Sequence, residues 1–401
     1  MKVLLAHPGT QYSYQLAKEL ETRGLLYKFY TCFAIAEISL FFRLIRYLPY
    51  ALQRKISNRI IKDISKIKIK VFFRLELNVL ISLKIGQDPE EVFYKRNKKF
   101  QEEIPDSDIL ESDLIIGFDT SSWILLKRCK QLNRKFILDV SIAHPIEKEK
   151  IYNQIVLQYP DWSFAIKHKS AALIESEQQE LENADVVVVA SSFTKQSLIK
   201  HGIHEDTIFV NPYGVDSQLF FPTIKLASKK INFVFVGLVD ARKGIPILLD
   251  TWEQISKSEA TLSLIGPVSN LTSRIIQKKY PEINILGKIP FSELSQTFSK
   301  YDVLVFPSYF EGFGLVILEA MACGLPVITT TATCGADIID DGHDGLIIET
   351  GSIYSLLNAM ESIIEGRYNL LKMGKQAREK ASILTWNAYG ERWEKIIRYL
   401  K

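Results

Sequence analysis

Arg242 and Lys243 sit side by side in the loop Leu238-Val-Asp-Ala-Arg-Lys-Gly244. The loop lies between an apolar run that reads as a strand, Ile231 to Val236, and a helix opening near Ile245-Pro246. Proline is tolerated in a helix's first turn, which places the boundary there. Two adjacent cations at a strand-to-helix turn are placed to meet phosphate, arginine as a two-pronged donor and lysine as a point charge. A solvated Arg-Lys pair is the plainer alternative. Farther along, Glu311 and Glu319 stand eight residues apart in a segment running from Pro307 to Pro326. There the buried strand Asp302-Val-Leu-Val-Phe306 breaks at Pro307, a loop containing Gly312 and Gly314 follows, and a run of good helix formers stops at Gly324 and Pro326. Strand, glycine loop and helix in that order aim the unpaired N–H groups of a helix N-terminus at an anion. Carboxylates are poor ligands for phosphate but good acceptors from hydroxyls. The combination therefore suits a ligand that is both phosphorylated and polyhydroxylated, which is a sugar nucleotide.

The pattern Ser308-x-x-Glu311-Gly-Phe-Gly-Leu-x-x-Leu-Glu319-Ala-Met-Ala-x-Gly324-x-Pro326-Val resembles the Glu-x7-Glu signature of retaining GT-B glycosyltransferases, and within them glycosyltransferase family 4, the group 1 glycosyltransferases. The resemblance is dense over residues 184–348 and weak over 25–110. It implies an α/β protein of the GT-B fold, two facing doubly wound, Rossmann-like domains with the donor in the cleft between them. It further implies that Lys243, with Arg242, neutralises the departing diphosphate, helped by Phe313, Gly314 and Leu315 at the helix start. Glu319 would hold the ribose, Glu311 and His144 the sugar, and backbone groups at Ile289 the nucleobase. Gly9, in the first loop, would face the donor phosphates across the cleft. The family motif runs Gly-Arg-x4-Lys-Gly; Lys243 and Gly244 match it, but Leu238 stands where the first arginine belongs, with Arg242 as the neighbouring replacement. No covalent nucleophile stands out, so same-face attack by an acceptor hydroxyl is the implied route. No metal or other cofactor is indicated.

Elements that would hold these groups can be read in chain order. Lys2-Val-Leu-Leu-Ala6, His7-Pro8-Gly9-Thr10 and a helix from Tyr12 to Arg23 form a first strand–loop–helix unit. One glycine in that turn is too few for the Gly-x-Gly-x-x-Gly dinucleotide fingerprint. Phe136-Ile-Leu-Asp-Val140 leads to the loop carrying His144, at the sheet edge where open α/β sheets place ligands; a surface histidine before Pro145 is the alternative. Asp106-Ser-Asp108 reads as a solvated polar loop, not a metal motif. Val186-Val-Val-Val189 reads as the last strand of the first domain. In the resembled family a Pro-x-Gly-Val-Asp turn, here Pro212-Tyr-Gly-Val-Asp216, marks the hinge. Asp341-Gly-His343-Asp-Gly345 reads as a hairpin-like turn before an edge strand. The expected divisions are an N-terminal acceptor domain over 1–212, a nucleotide-sugar domain over 213–385, and a C-terminal helix over 386–401 that folds back through Trp386, Tyr389, Trp393, Ile396 and Ile397.

Length and composition agree with two soluble domains. The chain has 401 residues, 47% hydrophobic and 24% charged. No apolar run approaches the ~20 residues of a membrane span, and no secretory signal opens the chain. Cys32, Cys129, Cys323 and Cys334 lack metal-type spacing, which suits a reducing cytoplasm. The net charge of +4 hides an asymmetry: residues 1–100 hold 19 Lys/Arg against 8 Asp/Glu. Ile56, Ile60, Ile64 and Ile67 recur at helical spacing beside Lys55, Arg59, Lys62 and Lys66, and Phe41, Phe42, Leu44, Ile45 and Leu48 accompany Arg43 and Arg46. A basic amphipathic helix within residues 40–85 reads as a contact for an anionic membrane surface; an ordinary solvated helix face is the alternative. Nothing points to nucleic acid. The expected activity is transfer of a sugar from a nucleoside diphosphate donor to a glycan or lipid-linked glycan acceptor in cell-surface polysaccharide assembly, in the cytoplasm or at the inner face of its membrane. A sugar-nucleotide epimerase, a phosphorylase and a non-catalytic nucleotide-sugar-binding subunit share the fold and remain open.

Overall fold

Short apolar runs, buried on both faces, build two parallel sheets, as strands covered by helices on each side must. The computed structural model describes residues 1–10, 12–36, 59–61, 63–223 and 229–400. The first sheet contains β1 (Val3–Ala6), β2 (Leu26–Thr31), β5 (Ile69–Val71), β6 (Leu114–Phe118), β7 (Lys135–Val140), β8 (Val186–Val189) and β9 (Ile208–Val210) in the spatial order β5-β2-β1-β6-β7-β8-β9. Every neighbouring pair is parallel; Leu5 of β1, for instance, lies between Phe29 and Ile116. The second sheet contains β10 (Ile231–Val236), β11 (Ala260–Ile265), β12 (Asn284–Gly287), β13 (Val303–Phe306), β14 (Val327–Thr330) and β15 (Gly345–Ile348) in the order β12-β11-β10-β13-β14-β15. A two-stranded ribbon, β3 (Ile35–Ala36) with β4 (Ile60–Ile61), stands apart.

In both sheets the strand order reverses beside the first strand, between β1 and β6 and between β10 and β13. Such a reversal opens a crevice at the carboxyl edge, where ligands bind. The two carboxyl edges meet. Ser192 donates its N–H to Asp337 at 2.9 Å, and Tyr309 donates its hydroxyl to Gln158 at 2.9 Å. Between them, Gly312 lies so near the Ser141 carbonyl that a Cβ there would stand 1.7 Å from its oxygen. Only glycine lets the backbones approach so closely.

The chain crosses between the sheets twice, at neighbouring places. After β9 it passes through Asn211–Val215, and it returns at Leu384–Thr385 into helix Trp386–Tyr399. The crossings are bonded together: Val215 donates to Leu384 at 2.9 Å and bridges Thr385 in parallel fashion. A Cβ on Gly214 would fall 2.3 Å from the Trp386 nitrogen. The returning helix buries Tyr389, Trp393, Ile396 and Ile397 and packs against helix Ser13–Thr22. Arg392 then ties it to the first crossing through Asn211 at 2.7 Å and the Pro212 carbonyl at 2.6 Å.

Four local expectations change. The isoleucine stripe is not a helix where it is described: Ile60–Ile61 pair as strand β4, Ile64 is buried, and Lys66–Lys68 make a single 3₁₀ turn before β5. Branched isoleucines favour extended pairing over a helix. Phe41, Phe42, Arg43, Leu44, Ile45, Arg46, Leu48, Lys55, Ile56 and Lys62 lie outside the described residues. Asp106–Glu111 is a short helix, with Asp108 paired to Lys28 at 2.7 Å rather than solvated. β9 follows β8 as the outermost strand of the first sheet. β15 runs parallel to β14, so the turn before it is not a hairpin. Among the described residues, no helix is long and apolar enough to cross a membrane.

Candidate functional site

The loops after β10 and β13 are zipped together before they reach the cleft. Tyr309 donates its N–H to the Arg242 carbonyl at 2.9 Å. Gly244, in left-handed backbone with φ 78°, sits where a Cβ would be 2.0 Å from the Pro307 oxygen. The zipper brings Lys243 and Arg242 onto Glu311. The Lys243 ammonium donates to Glu311 Oε1, which also accepts from Arg242 Nη1 at 3.0 Å and from the Ser308 hydroxyl at 2.8 Å. Glu311 is buried, which alone would raise its pKa, but Arg242 and Lys243 hold it below the usual carboxylate value. Asp240 fixes the loop by accepting the Lys243 N–H at 3.0 Å.

Lys243 and Glu311 line a cavity of about 300 Å³ shared by both domains. Helix Leu315–Ala322 points its N-terminus into it. Gly314 caps that helix in left-handed backbone with φ 90°, and no side chain covers its first N–H groups. Glu319 reaches the same cavity from one turn inside the helix. Its carboxyl has no hydrogen-bond partner among the described residues, and burial pushes its pKa up to about 8. One cavity thus holds a cation, an uncapped helix end and an unengaged carboxyl.

Of the residues singled out from the sequence, Lys243, Glu311, Phe313, Gly314, Leu315 and Glu319 line this cavity. Arg242 supports it from behind: its guanidinium bonds the Phe310 carbonyl at 3.0 Å and lies 5.3 Å from that ring's centre. Leu238, at the family's arginine position, is half exposed. His144 is buried near the wall without lining it. Its Nδ1 accepts the Ile146 N–H at 3.3 Å, capping helix Pro145–Gln158, and its ring stacks on His201 at 4.3 Å. Burial and the neighbouring His201 lower its pKa to about 4, so the ring is neutral. Gly9 and Ile289 are also outside the lining; the Gly9 N–H bonds the His7 ring at 3.1 Å, and Ile289 packs half-buried against the hydrophobic core that runs through both sheets.

Sequence reasoning passed over the four lining residues from the opposite side: Tyr12, Ser141, Ile142 and Tyr213. Tyr12 and Tyr213 rings lie 3.9 Å apart, and Tyr213 meets Phe313 at 5.2 Å. Burial raises the Tyr12 pKa, and the charges of Glu319 and Glu311 raise it further. Ser141 donates to Asp119 at 2.9 Å. Positions were available as signals: Ser141 immediately follows a central strand, and Tyr213 sits within the hinge turn.

Residues 230–366 match the family model described as Glycosyl transferases group 1. A glycosyltransferase of Methanocaldococcus jannaschii is 27% identical over 208 residues, 51% of this chain and 56% of that protein. The chain therefore spans little more than half the length of that curated relative. Over the full chain the structure resembles sucrose-phosphate synthase from Thermosynechococcus elongatus, with a TM-score of 0.68 and 20% identity, covering 100% of this chain and 99% of the other. It also resembles Anabaena HepE, solved in complex with UDP-glucose, with a TM-score of 0.64 and 15% identity over 100% of both chains. The fold is GT-B, and its second domain carries the group 1 glycosyl transferase signature.

Proposed function

We propose that this GT-B chain is a retaining glycosyltransferase that moves a sugar from a nucleoside diphosphate donor to a hydroxyl of a glycan or lipid-linked glycan. The observation that carries this is the shared cavity, where Lys243, the open N-terminus at Gly314-Leu315 and the unengaged Glu319 converge. In this reading the diphosphate lies between the Lys243 ammonium and the helix N–H groups. Charge gathers on it as the sugar–phosphate bond breaks, and preorganised donors stabilise that charge best in a cleft closed to water. Glu319 accepts from the ribose hydroxyls. Glu311 is steered by Arg242, Lys243 and Ser308 and accepts from the sugar. Positive charge from the protein takes the part a metal plays elsewhere, so the proposed reaction needs none. His144 is neutral with Nδ1 engaged, and its ring, stacked on His201 outside the lining, would have to turn toward the cavity for Nε2 to donate to the sugar.

Support for a nucleotide-sugar donor comes from HepE, which binds UDP-glucose on the same fold. The proposed setting is the cytoplasmic face of the cell membrane, in cell-surface polysaccharide assembly. Donor hydrolysis across a panel of UDP- and GDP-sugars, with chelator present, tests the reading; NMR of the released sugar or transferred product reports the anomer. Inverted product, or turnover abolished by chelator and restored by metal, would sink the corresponding part. A second reading, a non-catalytic nucleotide-sugar-binding subunit, is favoured by Leu238 at the arginine position and by Arg242 turned toward Phe310. Tight donor binding without hydrolysis or transfer would select it.

A further inference from the structure

Helix Phe73–Lys84 is apolar on two faces. Leu75 and Val79 point inward and are buried, while Phe73, Leu77, Leu80 and Ile81, with Ile85 just beyond, are 44–68% exposed. Positions 73, 77, 80, 81 and 85 fall on one side of a helix, so the exposed side chains form a continuous row. Exposed apolar residues scattered singly need no explanation, but a row of five on one face does.

Cations border this row. Between helix Phe73–Lys84 and helix Pro89–Glu103 lies a groove of about 470 Å³, with Lys95, Arg96, Lys98 and Lys99 on its wall and Glu102 the one carboxylate among its described lining residues. Lys84, Lys98 and Lys99 are exposed and have no carboxylate partner among the described residues. Lys95 pairs with Glu91 at 2.6 Å, and Arg96 is engaged by Asn97 at 2.8 Å, so the surplus positive charge rests on the three lysines, set against Glu102.

The surface is anchored at the carboxyl edge of the first sheet. Helix Phe73–Lys84 begins where Phe72 donates to the Thr31 carbonyl at 2.9 Å, at the carboxyl edge of β2. Helix Pro89–Glu103 reaches the same edge through Asn97, which donates to the Thr120 carbonyl at 2.8 Å.

We propose that this row and its bordering lysines dock the protein on a bilayer containing anionic phospholipid. Apolar side chains along one face, with unpaired lysines beside them, match the two terms that hold a peripheral helix: acyl-chain burial and attraction to anionic head groups. An apolar row with a net positive rim is matched on both counts by acyl chains and anionic head groups, and a second copy of the chain is the competing occupant. The inference deepens the reading of a membrane-borne acceptor, since it would bring a lipid-linked glycan to the cleft's edge. Its test uses neither donor nor acceptor, so it can fail without touching the transferase reading.

Flotation of the full chain with vesicles decides it. Wild type is expected to float with phosphatidylcholine vesicles containing about one-third phosphatidylglycerol at low salt, and at least tenfold less with phosphatidylcholine alone. L77S/L80S/I81S is expected to lose the interaction at least tenfold, and K84Q/K98Q/K99Q to lose its dependence on anionic lipid. Each variant is checked for wild-type melting and for nucleotide binding, and the lysine variant, which touches no apolar contact, keeps the test decisive if the first misfolds. Equal binding to neutral vesicles, binding unaffected by either variant, or no binding by wild type overturns the proposal. So does a wild-type dimer in sedimentation velocity that L77S/L80S/I81S dissociates, because the row would then join two copies of the chain.

Discussion

Lys243 and Arg242 share a single oxygen of Glu311, with the Ser308 hydroxyl as its third donor. The free protein therefore holds its principal cation against an internal carboxylate at the place where a diphosphate would arrive. Incoming phosphate need not strip Glu311 of all support, because Arg242 and Ser308 remain on it. That arrangement separates two roles the sequence placed side by side: Lys243 faces the cavity, and Arg242 orients Glu311.

Lys243→Ala is therefore expected to lower kcat far more than it raises the donor KM, because the charge it meets grows in the transition state. One such donor is typically worth about 10²–10³ in rate. Steady-state kinetics checks this. A variant keeping more than about a tenth of wild-type kcat would remove Lys243 from that role. Arg242→Ala is expected to impair intact-donor binding through a misplaced Glu311.

Glu319→Gln is expected to weaken binding of the nucleoside diphosphate alone, and Glu311→Gln to weaken intact nucleotide sugar only. A hydrogen bond to a charged group contributes roughly 1.5–3 kcal/mol, or about 10–150-fold in affinity. Calorimetry with both ligands resolves losses of that size. Equal losses for both ligands in both variants would break the division of labour.

The raised pKa of Glu319 gives a pH signature. Its folded value of about 8 lies above the ordinary 4.5, so burial favours the protonated carboxyl. Its ionisation accordingly costs the free protein stability as pH rises from the ordinary value through the folded one. Two ribose hydroxyls donating to both oxygens favour the ionised carboxylate over the protonated one, so binding at pH 6–8 should release a proton. Nucleotide affinity is expected to rise with pH by up to about tenfold per unit over that range and then flatten. Calorimetry in buffers of different ionisation enthalpy counts the proton, and Glu319→Gln should abolish the count. A pH-independent affinity in wild type would show that Glu319 does not engage the ligand.

Gly312→Ala should disturb the meeting of the domains without disturbing either core. The added methyl would fall 1.7 Å from a backbone oxygen, which no side-chain rotation relieves. The expected result is at least a tenfold loss in kcat/KM with the far-UV spectrum unchanged. Wild-type turnover would mean that the contact between Gly312 and Ser141 is dispensable.

The second half of the site was legible because its groups lie close together in sequence. A broken strand, two glycines and a helix bring Glu311, Gly314 and Glu319 into one cavity with no long-range information, and Lys243 follows by the same logic in the loop after β10, the neighbouring strand in the sheet. Tyr12, Ser141, Ile142 and Tyr213 were not legible, since they reach the cavity only after two separate sheets dock. Asp106–Glu111 shows a missed local signal: Pro105 followed by acidic residues in a first turn favours a helix start. β9 escaped because Ile208-Phe-Val210 is only three residues long. The isoleucine stripe misled through its period, which suits a helix, while its branched side chains take part in β4. Among the described residues a basic-apolar surface lies one segment later, where helix Phe73–Lys84 offers apolar residues to both the core and the solvent.

The paired crossings at Val215 and Leu384–Thr385 have a mechanical meaning. A single linker would let the domains twist, bend and drift apart independently. Two covalent strands bonded side by side, and braced by Arg392, resist separation and torsion together. The motion such a joint would leave soft is rotation about one line, like a door on two pins. Lys243 and Glu319 ride on one leaf, Tyr12 and Ser141 on the other, so a single angle governs how far apart the two walls of the cavity stand.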